Sequence, residues 1–370
     1  MTRDQEPPET RCRVIAWLLA FLLHSTIWCS LAWLLVRLRA DLDPRTRETA
    51  WYVAIALSLL TPTIQSLVPA ESAFWSIAIA QSAAGEHGGL LWDSGEHSRS
   101  AQSIVWPTVG LIAWVLVASA LIAVHALRLF SFRRSVRLRE DVQDLRALRV
   151  LEELSKRADL ASLPRLTECH SLNTPVAFGF GLRREICVPI RALHELDDDE
   201  LSALLGHEVA HHRRGDGRRS LVIALIQAAF FAQPLLHLAK RDICVAAEQQ
   251  CDDWAALQID DRVAMASCLT LVAGWIRPRD RTIPVPCIGR RSGHLETRVT
   301  RLLQSQASWS PRLRTLLIVA APLITATSLL TPTVTSVSID HDIEHPSGFR
   351  ADHHRGEHGE HRTEGRRHEH

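Results

Sequence analysis

The chain is nearly without lysine and tyrosine, and none of its cysteines form Cys-x-x-Cys pairs. Lys156 and Lys240 are the only lysines, so arginine carries the basic charge. The net charge of +1 points to no polyanionic partner, and direct nucleic-acid binding is not expected. The cysteines stand scattered at 12, 29, 169, 187, 244, 251, 268 and 287. That scatter argues against a disulfide framework and against a Cys-type metal site, and reduced, mostly buried thiols are expected. Hydrophobic residues make up 46% of the chain, gathered into long runs that alternate with charged stretches. This is the pattern of a membrane protein with an attached soluble part.

Four runs are long enough for a helix to cross about 30 Å of hydrocarbon, which takes roughly 20 residues. They are Val14 to Val36, Ala50 to Ala70, Ile104 to Leu127 and Leu316 to Val334. The first is too long for a signal peptide and has no small-residue cleavage site after it, so it reads as an anchor. Arginines 37, 39, 45 and 47 follow the first run, and 128, 133, 134, 137 and 139 follow the third. The loop after the second run carries only Arg99, with Glu71, Glu86, Asp93 and Glu96. The positive-inside rule then places the first loop and the long segment 128–315 in the cytosol, and the N-terminus, the 71–103 loop and the C-terminal tail outside. A fifth apolar run, Leu221 to Ala239, holds Gln227, Gln233, Pro234 and His237.

Residues 206 to 217 read GHEVAHHRRGDG. On a helix, positions i and i+4 share a face, so His207 and His211 can both point at one cation. Glu208 beside them can act as general base on a water that zinc activates. Asp197 to Asp199 favour the helix start, and two glycines after the motif favour its end. Five residues in a chain with 19 histidines also fit an ordinary amphipathic turn. A third ligand separates the two readings. Glu248 and Asp252, in AAEQQCDDWA, are again i and i+4. Glu248 can complete a His-His-Glu site. Asp252, and Asp216 for the other imidazole, can accept a hydrogen bond from a ligand's second ring nitrogen. Glu248 must reach the same ion as the histidines, so 221–239 is expected to be a buried or re-entrant hairpin rather than a span. Arginines 213, 214, 218 and 219 argue against a site inside the bilayer.

In these motifs the chain resembles the BlaR/MecR-type integral-membrane zinc metallopeptidases, the antirepressor signal transducers of β-lactam resistance in bacteria. The resemblance covers roughly residues 10 to 335. It rests on the spans and on NTPVAFGFGLRREICVPI, LLGHEVAHHRRGD, AAEQQCDDWA and HLETRVTRLL. It implies an α-helical membrane protein with four transmembrane helices and a mainly α, α+β gluzincin-type cytosolic zinc domain. The expected division is 1–128 with three spans, 129–311 the zinc domain, 312–334 the fourth span, and 335–370 a disordered extracytoplasmic tail. One zinc ion on His207, His211 and Glu248, with Glu208 as general base, is implied as well. Val176, Ala177, Phe178 and Gly179 are then a strand beside the cleft to which a substrate peptide can add.

Two departures stand out. The segment after the fourth run has no Ser-x-x-Lys motif, so β-lactam sensing is not expected there. The only tyrosine, Tyr52, lies in the second run, so an Arg or His must stabilise the oxyanion; Arg241 and His237 are the candidates. The expected substrate is a cytosolic protein, by resemblance a DNA-binding repressor. The alternatives are a housekeeping Ste-type or heat-shock-type membrane zinc protease, and a non-catalytic metal-binding sensor or scaffold. The tail holds histidines 341, 345, 353, 354, 358, 361, 368 and 370. It reads either as a solvated segment or as a binder of extracytoplasmic metal ions. Residues 129–165 read as a linking helix that either carries a signal or is merely solvated.

Overall fold

The computed structural model describes residues 8–39, 41–67, 76–82, 96–179, 181, 183–275, 295–304, 314–321 and 333–339. Three long helices come first: α1 (Pro8–Leu38), α2 (Pro44–Leu67) and, after strand β1 (Ser76–Ser82), α3 (Glu96–Ser135). Arg13–Leu38, Pro44–Leu67 and Thr108–Ser135 within them are long and apolar enough to cross a membrane. Much of α3 leaves large apolar side chains exposed, among them Ile112, Val115 and Leu116. In water such a face would be costly, whereas against acyl chains it needs no partner.

Of the expected fourth span, 314–321 are helical and 322–332 lie outside the described residues. Strand β6 (Thr333–Ile339) follows and pairs in parallel with β1, Ser76 opposite Thr333. Residues 335–339, expected in a structureless tail, are therefore strand. The tail's histidines lie outside the described residues.

The segment 129–165 is not one linking helix. Past Ser135 the chain makes strand β2 (Glu140–Asp141) and then α4 (Leu145–Arg157), capped by the Asp144 side chain on the Arg146 N–H. Leu151 and Leu154 of α4 are buried, so α4 is part of the soluble core. The reason lies in its sequence, because apolar residues at helical spacing have to bury a face against something. Strands β3 (Arg165–Cys169), β4 (Val176–Phe178) and β5 (Glu185–Pro189) follow, and the sheet order is β2-β3-β5-β4. β4 is an edge strand, antiparallel to β5.

After the short α5 (Ile190–Glu195) come α6 (Asp198–Arg214), α7 (Asp216–Ala229), α8 (Pro234–Ile259), α9 (Arg262–Trp275) and α10 (Leu295–Gln304). The α7–α8 pair is a hairpin covering the fifth apolar run. At its tip Phe230 stacks on Phe21, with ring centroids 3.8 Å apart. Gln233 donates to Ser25 Oγ at 2.6 Å and Thr26 Oγ1 at 3.0 Å. The tip thus meets α1 near the middle of its apolar stretch. Satisfying the Gln233 amide there matters, since an unbonded polar group away from water is expensive. Cys29, Cys169, Cys187, Cys251 and Cys268 are free and buried. Cys244 departs from the expectation of reduced thiols, being disulfide-bonded.

Candidate metal centre

Helix α6 starts with a capping box, the Asp197 side chain accepting from the Glu200 N–H while the Glu200 side chain accepts from the Asp197 N–H. It ends at Gly215, whose φ of 70° is the left-handed region that favours glycine. Gly217, expected to help end the helix, lies inside α7 instead. The single reversal at Gly215 brings Asp216 back beside the last turn of α6. Glu248 arrives from α8, which packs closely on α6. A Cβ built on Gly206 would stand 3.3 Å from Ala255 Cβ and 3.4 Å from its Cα, so any side chain there would press against α8 at this close approach.

His207 Nε2 and His211 Nε2 are 3.2 Å apart. Glu248 Oε2 is 3.5 Å from the first and its Oε1 is 3.8 Å from the second. Ligand atoms at tetrahedral zinc bond lengths of about 2.0–2.1 Å would be separated by roughly 3.4 Å. On the far side of each ring stands a carboxylate. Asp252 Oδ1 is 3.0 Å from His207 Nδ1, and Asp216 Oδ2 is 2.8 Å from His211 Nδ1. His211 Nδ1 is hydrogen-bonded to its carboxylate, while His207 Nδ1 lies within ion-pair distance of Asp252, so that both Nε2 atoms and the Glu248 carboxylate face a common point. With both Nε2 atoms unprotonated, three such groups repel one another unless a cation sits between them, and in its absence a proton on His207 takes that place. The residues therefore fit a divalent metal ion. The electrostatics agree. Burial disfavours charge on His207, yet Asp252 and Glu248 raise its pKa to about 9. Asp252 is pushed up by burial but brought down to about 2 by Arg298 and His207.

A second group, His211, Asp216 and Cys251, also comes together. Cys251 Sγ is 3.4 Å from His211 Nδ1 and 3.7 Å from Asp216 Oδ2. Burial, the largest influence, holds the Cys251 thiol well above its ordinary pKa, and ligation needs the thiolate. Since Asp216 already takes the His211 Nδ1 proton, this group is the poorer metal site.

Beside the metal group lies a pocket that Glu208 lines together with His207 and Arg298, its walls formed by Leu204, Met265, Leu269 and Val272. Pro175, next to the edge strand β4, is also in that lining. Val176 is buried, while Ala177, Phe178 and Gly179 are half-buried. The proposed oxyanion groups are not near. His237 and Arg241 are exposed on α8, and neither lines the pocket. They precede Glu248 by eleven and seven residues on one helix, which is about 16 and 10 Å of axial rise.

Sequence reasoning missed Arg298 on α10. Its Nε and NH2 donate to Asp252 Oδ2 and Oδ1 at 2.7 and 2.6 Å, and its NH1 is 3.2 Å from Glu248 Oε2. Its only sequence signal was membership of HLETRVTRLL. Also missed was Glu48 on α2, which accepts from Arg214 NH2 at 2.8 and 2.9 Å.

No curated protein matches the sequence. The family profile described as BlaR1 peptidase M56 matches residues 16–302. That stretch takes in most of α1, all of α2, the paired imidazoles, Glu248 and Arg298, and on it the chain belongs to the M56 family of BlaR1-type peptidases.

Proposed function

We propose that the protein is a membrane-anchored zinc endopeptidase with a cytosol-facing active site, acting in regulatory signal transduction by cutting a cytosolic, repressor-like protein. The observation that carries the peptidase reading is the convergence of His207 Nε2, His211 Nε2 and the Glu248 carboxylate beside Glu208. Two imidazoles and one carboxylate leave a coordination position open, as hydrolytic zinc sites do. The cytosolic placement rests on the arginine distribution around the spans. The regulatory role and the repressor-like substrate rest on the resemblance to the BlaR/MecR type.

In this reading zinc supplies Lewis acidity, polarising the scissile carbonyl and acidifying water. The protein does the rest. Asp252 and Asp216 keep the two rings in the tautomer that leaves each Nε2 free to bind. The substrate backbone adds to the edge of β4, and an apolar side chain fills the pocket walled by Leu204, Met265, Leu269 and Val272. A Glu208 carboxylate oxygen takes a proton from the attacking water and delivers it to the amide nitrogen as the C–N bond breaks. Arg298, in the pocket lining, is placed to favour the negative charge that develops there.

The test uses the full chain in detergent micelles with one equivalent of zinc and an unfolded reporter protein. Cleavage is expected from the wild type and, under the same zinc loading, not from Glu208→Gln. Equal cleavage by the two proteins would overturn the assignment.

A further inference from the structure

Glu48 is an acidic residue on a helix that is otherwise apolar enough to cross a membrane, and its side chain is only 7% exposed. A carboxylate in such a place is costly unless it is paired and hydrogen-bonded. It is both. Arg214 NH2 binds its two oxygens at 2.8 and 2.9 Å, Gln250 Nε2 donates to Oε2 at 2.6 Å, and Arg219 NH1 stands 3.4 Å from Oε1. Arg214 in turn holds Asp216, its Nε lying 3.1 Å from Oδ2, and that oxygen is bonded to His211 Nδ1. An unbroken line of charge-assisted hydrogen bonds thus runs from α2 to one imidazole of the metal group. Gln250 ties the same carboxylate to α8, two residues from Glu248.

We propose that Glu48 is a positioning residue for the metal site: from the Pro44 end of α2 it fixes Arg214, and through Arg214 and Asp216 it sets the orientation of the His211 ring. The affinity of the site for metal then depends on how α2 is seated. This rests on the metallopeptidase reading above and adds to it a physical tie between a membrane helix and a ligand. Nothing in the motif residues themselves requires such a tie.

The experiment measures cobalt binding to the full chain in detergent, by competition with a chromophoric chelator and by the visible spectrum of the bound ion. Helix content and thermal unfolding are followed alongside. Removing a group that orients a ligand typically weakens metal binding about 10–100-fold. Glu48→Ala is expected at the lower end of that range, with an altered cobalt spectrum. Glu48→Gln keeps the shape and one acceptor, and is expected to lose less; it also serves if Glu48→Ala does not fold. The control is Asp242→Asn. Asp242 accepts from Trp51 Nε1 at 3.2 Å and lies 3.7 Å from Arg47, so it joins α8 to α2 without touching the His211 line. This variant should bind cobalt within about twofold of wild type. Wild-type cobalt affinity and spectrum in a folded Glu48→Gln or Glu48→Ala protein would overturn the proposal, as would an equal loss in Asp242→Asn. Failure of the wild type itself to bind cobalt would instead overturn the metallopeptidase reading.

Discussion

The two imidazoles of the candidate metal group each face a carboxylate but are anchored to different parts of the molecule. Behind His207 stand Asp252 and then Arg298, a line contained in the soluble helices α8 and α10. Behind His211 stand Asp216, Arg214 and then Glu48, a line that ends on α2. The first is the more buried, with Asp252 and Arg298 side chains 1% and 5% exposed. In the second, Arg214 and Asp216 are 12% and 13% exposed. One imidazole is thus tied to the soluble helices and the other, through Arg214, to α2.

The comparison can be broken most forcefully at Arg298. Arg298→Met leaves Asp252 as a buried charge without its main partner, which typically costs about 3–5 kcal/mol. Denaturant titration followed by helix signal should show that loss. Arg214→Met should cost distinctly less, because its surroundings are more open. Equal costs would remove the contrast between the two lines.

A smaller effect is expected at the carboxylates. Asp252→Ala and Asp216→Ala should each weaken metal binding about 10–100-fold, or roughly 1.4–2.7 kcal/mol, through loss of ring orientation. Chelator competition measures it. Asp252→Ala should also destabilise the metal-free protein, since buried Arg298 is left with Glu248 alone. If Asp216→Ala binds metal as the wild type does, His211 is held by something other than the line to α2.

The smallest effect is expected at Arg219, 44% exposed at the rim of the Glu48 cluster. Arg219→Ala should change stability by no more than about 1 kcal/mol, as exposed ion pairs do. A larger change in the melting curve would mean that the His211 line draws its strength from the rim rather than from Arg214.

Much of the site could be read before any coordinates. The i, i+4 spacing of His207 and His211, and of Glu248 and Asp252, is dictated by helix geometry, and helix geometry is local. The hairpin over 221–239 followed from requiring Glu248 to reach the histidines. What remained hidden depends on long-range packing. Arg298 meets Asp252 across 46 residues of sequence and Arg214 meets Glu48 across 166. No periodicity reports either contact. Arg241 and His237 were poor choices on local grounds alone, because they share a helix with Glu248 and lie several turns away along it. The helical spacing in 145–157 was visible, but it did not say whether α4 bridges to the membrane or packs into the core.

The central claim is the identity of the three ligands, and zinc-edge X-ray absorption on the purified full chain tests it most directly. The account predicts only nitrogen and oxygen neighbours at about 2.0–2.1 Å, with imidazole scattering diminished in His207→Ala and in His211→Ala. A sulfur neighbour at about 2.3 Å would contradict it, placing the ion with Cys251, Asp216 and His211 instead.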